Sequence, residues 1–139
     1  MQAQEKAQKL LTQMSTIFLV TLKDDGFPNA RAISATKAQD IKTIYMISGL
    51  SNPKSTELKK NPHCMIYTTT LDDNCDYVEL RLWGKAELLT DMPSREYAWN
   101  NAYNEYFKQG INDPELCVIK FTTDHAQITT PEGTQHIDL

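Results

Sequence analysis

Short alternating or continuous apolar stretches predict β-strands along most of the chain. Residues 16–22 (TIFLVTL) are rich in β-branched and aromatic side chains and too few for a stable helix, so a mostly buried strand is expected. Residues 77–89 alternate, with Val78, Leu80 and Leu82 on one face, which predicts a strand with one buried side. The same reasoning predicts further strands at residues 29–35, 41–48, 63–70, 116–122 and 126–129.

Apolar residues at helical spacing and capping residues predict helices between these strands. Near the N-terminus they recur every three or four positions, which indicates an amphipathic helix: Ala3, Ala7, Leu10, Leu11 and Met14. Asn52 is a good N-cap and Pro53 suits the first helical position, so a second helix should begin there and run to about residue 60. Asn61-Pro62 should end it, because proline disfavours helical geometry in the residue before it.

A third helix is predicted to open at Asp91 and Pro93 and to close at Gly110. Its aromatic stripe would contain Trp99, Ala102, Tyr103, Tyr106 and Phe107. Such a stripe more often packs in a core than against a cofactor. Capping a neighbouring ligand is the other interpretation, and the pattern does not choose between them.

Turn residues join the strands into an antiparallel fold. Gly26 is free to adopt a positive φ in the first hairpin, and Gly84 predicts a bulge or bend. No repeat or linker interrupts the chain, so we expect one domain over residues 1–139, with 130–139 as a loose tail. The expected fold class is mainly β (α+β), an antiparallel barrel with peripheral helices.

The composition narrows the class of function. The 139 residues carry a formal net charge of −4, which disfavours nucleic acid and anionic membranes as partners. Residues 1–11 contain no apolar run suited to a signal peptide or membrane span, so a cytoplasmic location is expected. The three cysteines are interpreted as free thiols, and the histidines lack metal-binding spacing, so no metal is expected. No Ser-His-Asp arrangement, carboxylate pair or G-x-G-x-x-G stretch provides a catalytic motif.

Residues 48–54 are the strongest candidate for a binding site. A strand end meets a glycine, the donors Ser48, Ser51 and Asn52, and a helix N-terminus, which together outline an anion site. Lys54 in the first helical turn opposes the helix dipole unless an anion is bound. Free backbone N–H groups, the Asn52 side chain and Lys54 would then all point at one phosphate. A plain helix cap with a solvated lysine is the alternative.

Arg31 supports the anion interpretation. A guanidinium in the middle of a strand of Ala, Ile and Ser needs a partner, and a phosphate can pair with it through two hydrogen bonds. A solvent-facing arginine on a one-sided sheet is the alternative. The small residues Ala30, Ala32 and Ala35 would let a flat ring approach the backbone.

Three stretches carry a resemblance to a known family: FLVTLKDDGFPNARAI, IYMISGLSNPKSTELKKNP and YVELRLWGKAEL. With them the chain resembles the pyridoxamine 5′-phosphate oxidase-like FMN-binding split-barrel family, particularly its general stress protein branch. The resemblance extends over about residues 10–128, and the ending K-x-x-x-L-x-x-N-P is its most specific part.

The resemblance implies an antiparallel split barrel that binds FMN. It assigns the FMN phosphate to Arg31 and Lys54, backbone contacts with the flavin ring to Ala32 and Ile33, and the strand-end hydroxyl to Ser48. Ser51 and Asn52 belong to the same phosphate-binding turn. It also implies a homodimer with two FMN sites at the interface, so that Trp99 or its aromatic neighbours would touch the partner's flavin.

The resemblance leaves the reaction open. The oxidase holds its substrate phosphate with basic residues near its C-terminus, and residues 129–139 contain no Arg or Lys, so oxidation of pyridoxamine phosphate is not expected. One hypothesis is an FMN-dependent oxidoreductase that takes electrons from NADH or NADPH and passes them to a small-molecule substrate. A second is a non-catalytic flavin carrier or sensor, and a third is a barrel without a cofactor.

Overall fold

The computed structural model describes residues 2–13, 16–33, 36–38 and 40–139, and within these ranges the chain forms eight strands and three α-helices. In chain order they are α1 (Ala3–Gln13), β1 (Ile17–Leu22), β2 (Pro28–Ile33), β3 (Thr36–Ala38), β4 (Thr43–Gly49), α2 (Pro53–Lys60), β5 (His63–Leu71), β6 (Tyr77–Leu89), α3 (Met92–Ala98), β7 (Leu116–Thr130) and β8 (Gly133–Ile137). Two short 3-10 turns, Asn101–Glu105 and Gly110–Asn112, lie between α3 and β7. No helix among the described residues has the length and apolar character needed to cross a bilayer.

The strands form one antiparallel sheet whose two edges are joined by the chain. The order is β2-β1-β5-β6-β7-β4-β3, and β8 pairs with β7. Although β2 and β3 lie at opposite ends of this order, Thr36 follows Ile33 by only three residues. Three residues span at most about 11 Å, so the sheet must curl until its edges approach each other. This is the antiparallel split barrel that the sequence predicts, with a seam between β2 and β3.

The barrel core is built from the inward-facing positions of the alternating strands. Its fully buried side chains include Ile17, Leu19, Ile44, Met46, Ile66, Leu80, Leu82, Ile119, Phe121 and Ile128. From α1, Ala7, Leu10 and Leu11 join the same cluster, which confirms the predicted amphipathic helix. Burying each large side chain contributes about 1.5–3 kcal/mol, so this alternation is the main force that fixes the register.

Gly84 lies at a bulge, as predicted. Trp83 pairs with His125 and Gly84 with Thr123, so Asp124 is an extra residue in β7. A Cβ built on Gly84 would lie 2.0 Å from the Thr122 carbonyl oxygen. The close approach of two backbones therefore requires glycine here. The bulge also explains why residues 116–122 and 126–129, predicted as separate strands, form the single strand β7.

The prediction of one long third helix is wrong. Helix α3 ends at Ala98, because Trp99 is extended, with φ −69° and ψ 143°. The Asn100 side chain then accepts a hydrogen bond from the Ala102 N–H at 2.9 Å, which starts a separate 3-10 turn. A side chain that caps a new turn competes with continuation of the old helix. The aromatic residues after Trp99 therefore lie on a segment of 3-10 turns and loops rather than on one face of a helix.

The prediction of a loose tail at residues 130–139 is also wrong. Strand β8 pairs with β7 through a tight turn at Gly133, and Ile137 is only 6% exposed. The pairing with β7 and the burial of this apolar side chain together hold the strand against the barrel. The strand predicted at 41–48 begins at Thr43, and the short strand β3 was not predicted. Met14, Ser34 and Ala35, which the predicted elements included, lie outside the described residues.

Candidate functional site

A cavity of about 460 Å³ opens beside the barrel seam. Strand β2 contributes Ala32 and Ile33, and the end of β4 contributes residues 47–49. The complete lining is Ala32, Ile33, Ile47, Ser48, Gly49, Ser51, Asn52, Lys54, Tyr103, Tyr106, Phe107 and Glu115. This volume is typical of a small-molecule site. Six of the eight residues that the sequence singled out are thus brought together, and Arg31 and Trp99 are not in the lining.

The cap at the start of α2 forms as its sequence predicts. The Asn52 Oδ1 atom accepts a hydrogen bond from the Lys54 N–H at 3.2 Å, and Pro53 occupies the first turn. Helix α2 ends at Lys60, before Asn61-Pro62. These local interactions place Ser51, Asn52 and Lys54 at the cavity, because the short connection from β4 to α2 leaves little freedom.

The backbone N–H groups of this turn are not free, contrary to the prediction. Those of Leu50 and Ser51 donate to the carbonyl and the carboxylate of Glu115, and that of Asn52 donates to the Gly49 carbonyl at 3.1 Å. Pro53 has no N–H, and the Lys54 N–H is used by the cap. Backbone donors at a helix start are satisfied by whatever acceptor is nearest, and here the chain supplies the acceptors itself.

Lys54 is the cation at the cavity. Its side chain is half-buried, and within the described part of the chain its ammonium has no hydrogen-bond or ion-pair partner. Burial lowers the pKa of Lys54, and the nearby positive charge of Arg31 lowers it further. Two cations therefore lie close enough to destabilise each other. An anion between them would reverse that effect.

The Arg31 guanidinium is held next to α2 by hydrogen bonds to groups of the protein. Its guanidinium donates to Thr21 Oγ1 at 2.7 Å, to the Leu19 carbonyl at 3.3 Å and to Glu57 Oε1 at 3.1 Å. Asn29 donates to the same carboxylate oxygen at 2.8 Å. Arg31 lies on the more buried face of β2, together with Asn29 and Ile33. However, its bonded partner in the structure is Glu57, rather than solvent or the open cavity.

The Ser48 hydroxyl supports the turn that leads from β4 to α2. Its buried hydroxyl lies 2.9 Å from the Ser55 hydroxyl, which donates to the Gly49 carbonyl at 2.7 Å. The Cys117 thiol packs against Ser55, and burial raises the pKa of Cys117. A buried thiol with a raised pKa is a poor nucleophile. This cluster therefore positions the end of β4 and the first turn of α2.

Aromatic residues form the outer wall of the cavity. Tyr103, Tyr106 and Phe107 line it, and Tyr106 is 77% exposed. Trp99 lies behind this wall, with its ring centroid 5.7 Å from that of Tyr103 and 6.4 Å from that of Phe107. An exposed aromatic side chain beside a concave site is a surface on which a planar ligand can stack.

A buried arginine fixes the segment that carries this wall. Arg95 is only 8% exposed, and it donates to the main-chain carbonyls of Thr90, Ile111 and Asp113 at 2.8–2.9 Å. These acceptors lie on both sides of the aromatic residues in sequence. Arg95 therefore ties the two ends of the segment together.

Sequence reasoning missed two acidic residues of this region. Glu115 lines the cavity, and its carboxylate accepts hydrogen bonds from the amide and the hydroxyl of Ser51, which lower its pKa. Glu57 pairs with Arg31. Glu115 lies 64 positions from Ser51, so no local spacing could indicate the contact. Among the described residues no three His, Cys, Asp or Glu side chains are grouped as metal ligands.

Comparisons with known proteins agree with this architecture. A family model described as pyridoxamine 5′-phosphate oxidase matches residues 3–130. A search of curated proteins finds no significant match. A Clostridium acetobutylicum protein related to general stress protein 26 is similar in structure, with TM-score 0.80, 25% identity, and coverage of 94% of this chain and 90% of that one.

Two further solved structures share the fold. General stress protein 26 from Bacillus anthracis aligns with TM-score 0.78 and 21% identity over 100% of both chains. A heme-binding protein from Mycobacterium smegmatis aligns with TM-score 0.77 and 15% identity over 99% of this chain and 58% of that one. The family model matches nearly the whole barrel, including every residue of the cavity. The chain therefore belongs to the pyridoxamine 5′-phosphate oxidase-like family, in its general stress protein branch.

Proposed function

We propose that this protein binds FMN in the cavity beside the seam and acts as a flavin-dependent oxidoreductase on a small molecule. The observation that carries the proposal is Lys54, a half-buried cation without a partner in the described chain, at a cavity of ligand size. A cation held in this way favours an anionic ligand, because the ligand's charge replaces the missing counter-ion.

The donors beside Lys54 suit a phosphate group. The Asn52 side-chain amide lies in the same turn, and its oxygen is already engaged by the cap, which leaves its NH2 group to donate. Each charge-assisted hydrogen bond would contribute about 1.5–3 kcal/mol. Arg31 adds positive potential from below α2, while Glu57 retains the direct ion pair.

The rest of the cavity suits a flat ring. The exposed Ala32 and its neighbour Ile33 present an edge strand with small side chains on its outer face, which allows a ring to approach the backbone. Tyr103 and Tyr106 offer aromatic surface opposite. FMN, when bound, supplies hydride and electron transfer. The residues of this chain then bind, orient and shield the ligand from water.

FMN fits these residues better than heme, which the Mycobacterium smegmatis relative binds. None of the described residues that line the cavity is a His, Cys or Met, the side chains that most often ligate heme iron, and among those residues Tyr103 and Tyr106 are of a type that ligates it less often. The unpaired Lys54 is instead suited to a phosphate. Within the family, pyridoxamine phosphate is not the substrate that we propose, because residues 129–139 contain no Arg or Lys to hold it.

We further propose a cytoplasmic homodimer that is reduced by NADH or NADPH. Support for the dimer comes from the outer face of β1, β5 and β6, where Phe18 pairs with Tyr67 and Val20 with Met65, and Trp83 pairs with Met65 in turn. Phe18 is 38% exposed, and this face is apolar or aromatic apart from Arg81, which pairs with Tyr67 and lies over its ring. An apolar sheet face of this kind is typical of a subunit interface.

The first experiment measures FMN binding by fluorescence titration of the purified protein. We expect Lys54→Gln to weaken FMN binding by about tenfold or more, because a charge-assisted bond to phosphate is lost. Riboflavin, which lacks the phosphate, should bind equally well to both proteins. The matched control is Lys59→Gln, which alters an exposed lysine of the same helix. Failure of the wild-type protein to bind FMN would refute the proposal.

The second experiment separates an enzyme from a carrier. The FMN-loaded protein is mixed with NADH or NADPH in a stopped-flow instrument without oxygen, and the flavin absorbance is followed. An oxidoreductase should lose the absorbance of oxidised flavin within its turnover time. A flavin carrier or sensor would retain it, which would refute the catalytic part of the proposal and leave the binding part standing.

A further inference from the structure

We infer that Glu115 lowers the affinity of the cavity for phosphate-bearing ligands by competing with the phosphate for the Ser51 N–H. This inference rests on the proposed function, since it names the residue that opposes binding of the proposed phosphate. Its carboxylate accepts from the Ser51 amide at the point where an anion would bind.

Ser51 is the point where the turn can change its acceptor. The amides of Leu50, Asn52 and Ser55 donate to main-chain carbonyls, which the fold holds in place. The Lys54 amide donates to the neighbouring Asn52 cap. By contrast, the Ser51 amide donates to a side chain from the start of β7. A ligand can take over this hydrogen bond without breaking a main-chain contact.

Hydrogen bonds fix the backbone of Glu115, while its side chain can change its rotamer. Its N–H donates to Asp113 Oδ1 at 3.0 Å, and its carbonyl accepts from the Leu50 N–H at 2.8 Å. The side chain itself is exposed, so its rotation exposes no apolar core. The Ser51 hydroxyl and amide keep the pKa of Glu115 below its ordinary value, so the group is ionised at neutral pH.

This arrangement disfavours phosphate-bearing ligands relative to neutral ligands in the same cavity. A carboxylate and a phosphate cannot both accept the same N–H, and two anions at one donor repel each other. Inorganic phosphate has only Lys54 and its neighbouring donors with which to displace the carboxylate. A ligand that also stacks its ring on Tyr106 and Ala32 gains further binding energy for the same displacement. Because this displacement costs the two ligands the same, Glu115 weakens both by the same factor, and the ring contacts leave the ring-bearing phosphate as the tighter ligand.

The test compares Glu115→Gln with the wild-type protein and with Glu132→Gln, which alters an exposed glutamate in the turn between β7 and β8. We expect Glu115→Gln to tighten FMN binding by about tenfold, because the opposing charge is removed. Riboflavin binding should not change, and Glu132→Gln should have no effect on either ligand. Unchanged FMN affinity would overturn the inference. Weaker binding of both FMN and riboflavin would also overturn it, since Glu115 would then be an acceptor for ligand hydroxyls.

A second measurement distinguishes this failure from failure of the proposed function. Inorganic phosphate is titrated into the free protein while the Ser51 amide is followed by NMR. Glu115→Gln should respond at about tenfold lower phosphate concentration than the wild-type protein. An equal response in both proteins would overturn the inference, whether or not FMN binds. Failure of the wild-type protein to bind FMN, with the expected phosphate response, would overturn only the proposed function.

Discussion

Replacing Arg95 with methionine should destabilise the protein more than any surface substitution. Arg95 is 8% exposed and donates to the carbonyls of Thr90, Ile111 and Asp113 at distances of 2.8–2.9 Å. Methionine fills most of the volume of the aliphatic part but supplies no donor. Three carbonyl oxygens would then lose a hydrogen bond at the two ends of the aromatic segment, and only that of Asp113 would keep another, from the Leu116 N–H at 3.0 Å.

The number of hydrogen bonds that Arg95 donates sets the expected loss in the free energy of unfolding. Each lost bond costs about 1–2 kcal/mol, and water can replace some of them at the edge of the segment, so we expect a total of about 3–4 kcal/mol. For a chain of 139 residues this corresponds to a fall in Tm of about 10 °C. The loss is a large share of the roughly 5–15 kcal/mol that keeps a domain folded.

Urea unfolding at fixed protein concentration, followed by tryptophan fluorescence, measures this change. The control is Lys108→Met, which makes the same kind of replacement at an exposed cation of the same segment and should change the free energy of unfolding by less than about 0.5 kcal/mol. The slope of the transition should be the same in both variants. If Arg95→Met lost less than about 1 kcal/mol, water would already satisfy these carbonyls and our reasoning would be wrong.

Two further predictions concern the sheet and the pH dependence of stability. Gly84→Ala should lose about 2–4 kcal/mol in urea unfolding, because its Cβ would meet the Thr122 carbonyl oxygen at 2.0 Å; a loss below about 1 kcal/mol would show that the bulge is pliable. The amides of Glu115 and Gln109 lower the pKa of Asp113 in the folded protein below its ordinary 3.8. The ionised carboxylate therefore adds to the free energy of unfolding above pH 3.8, and this contribution is lost as the pH falls through the lower pKa of the folded state. Asp113→Asn should therefore flatten the fall in urea midpoint between about pH 4 and pH 2, and parallel curves for the two proteins would contradict this.

Local chemistry made the start of α2 predictable from sequence. The cap requires only Asn52, Pro53 and the Lys54 amide, which are neighbours in the chain. The same is true of the strands, because alternation is a property of adjacent residues. The barrel could be inferred from the number of strands and their short connections, and the resemblance supplied the seam.

The failed predictions involve interactions between distant residues. The spacing of Trp99, Tyr103 and Phe107 fits a helix, but Asn100 caps a new turn and Arg95 binds carbonyls well beyond the helix end. Likewise, the sequence indicated that Arg31 needs a partner but could not show that this partner is Glu57, 26 positions later. Partners on different elements are selected by the assembled fold, which a local pattern does not contain.

The seam gives ligand binding a mechanical consequence. Ala32 and Ile33 belong to the strand at one edge of the sheet, whereas residues 47–49 belong to β4, next to the strand at the other edge. A molecule in the cavity would contact both sides of a gap that the ladder of hydrogen bonds leaves open. A bound ligand would thus hold the two sides of the gap together. At a free ligand concentration of one hundred times its Kd, binding would add about 2.7 kcal/mol to the free energy of unfolding. We therefore expect the protein with ligand and the protein without ligand to differ most in how readily β2 and β3 open.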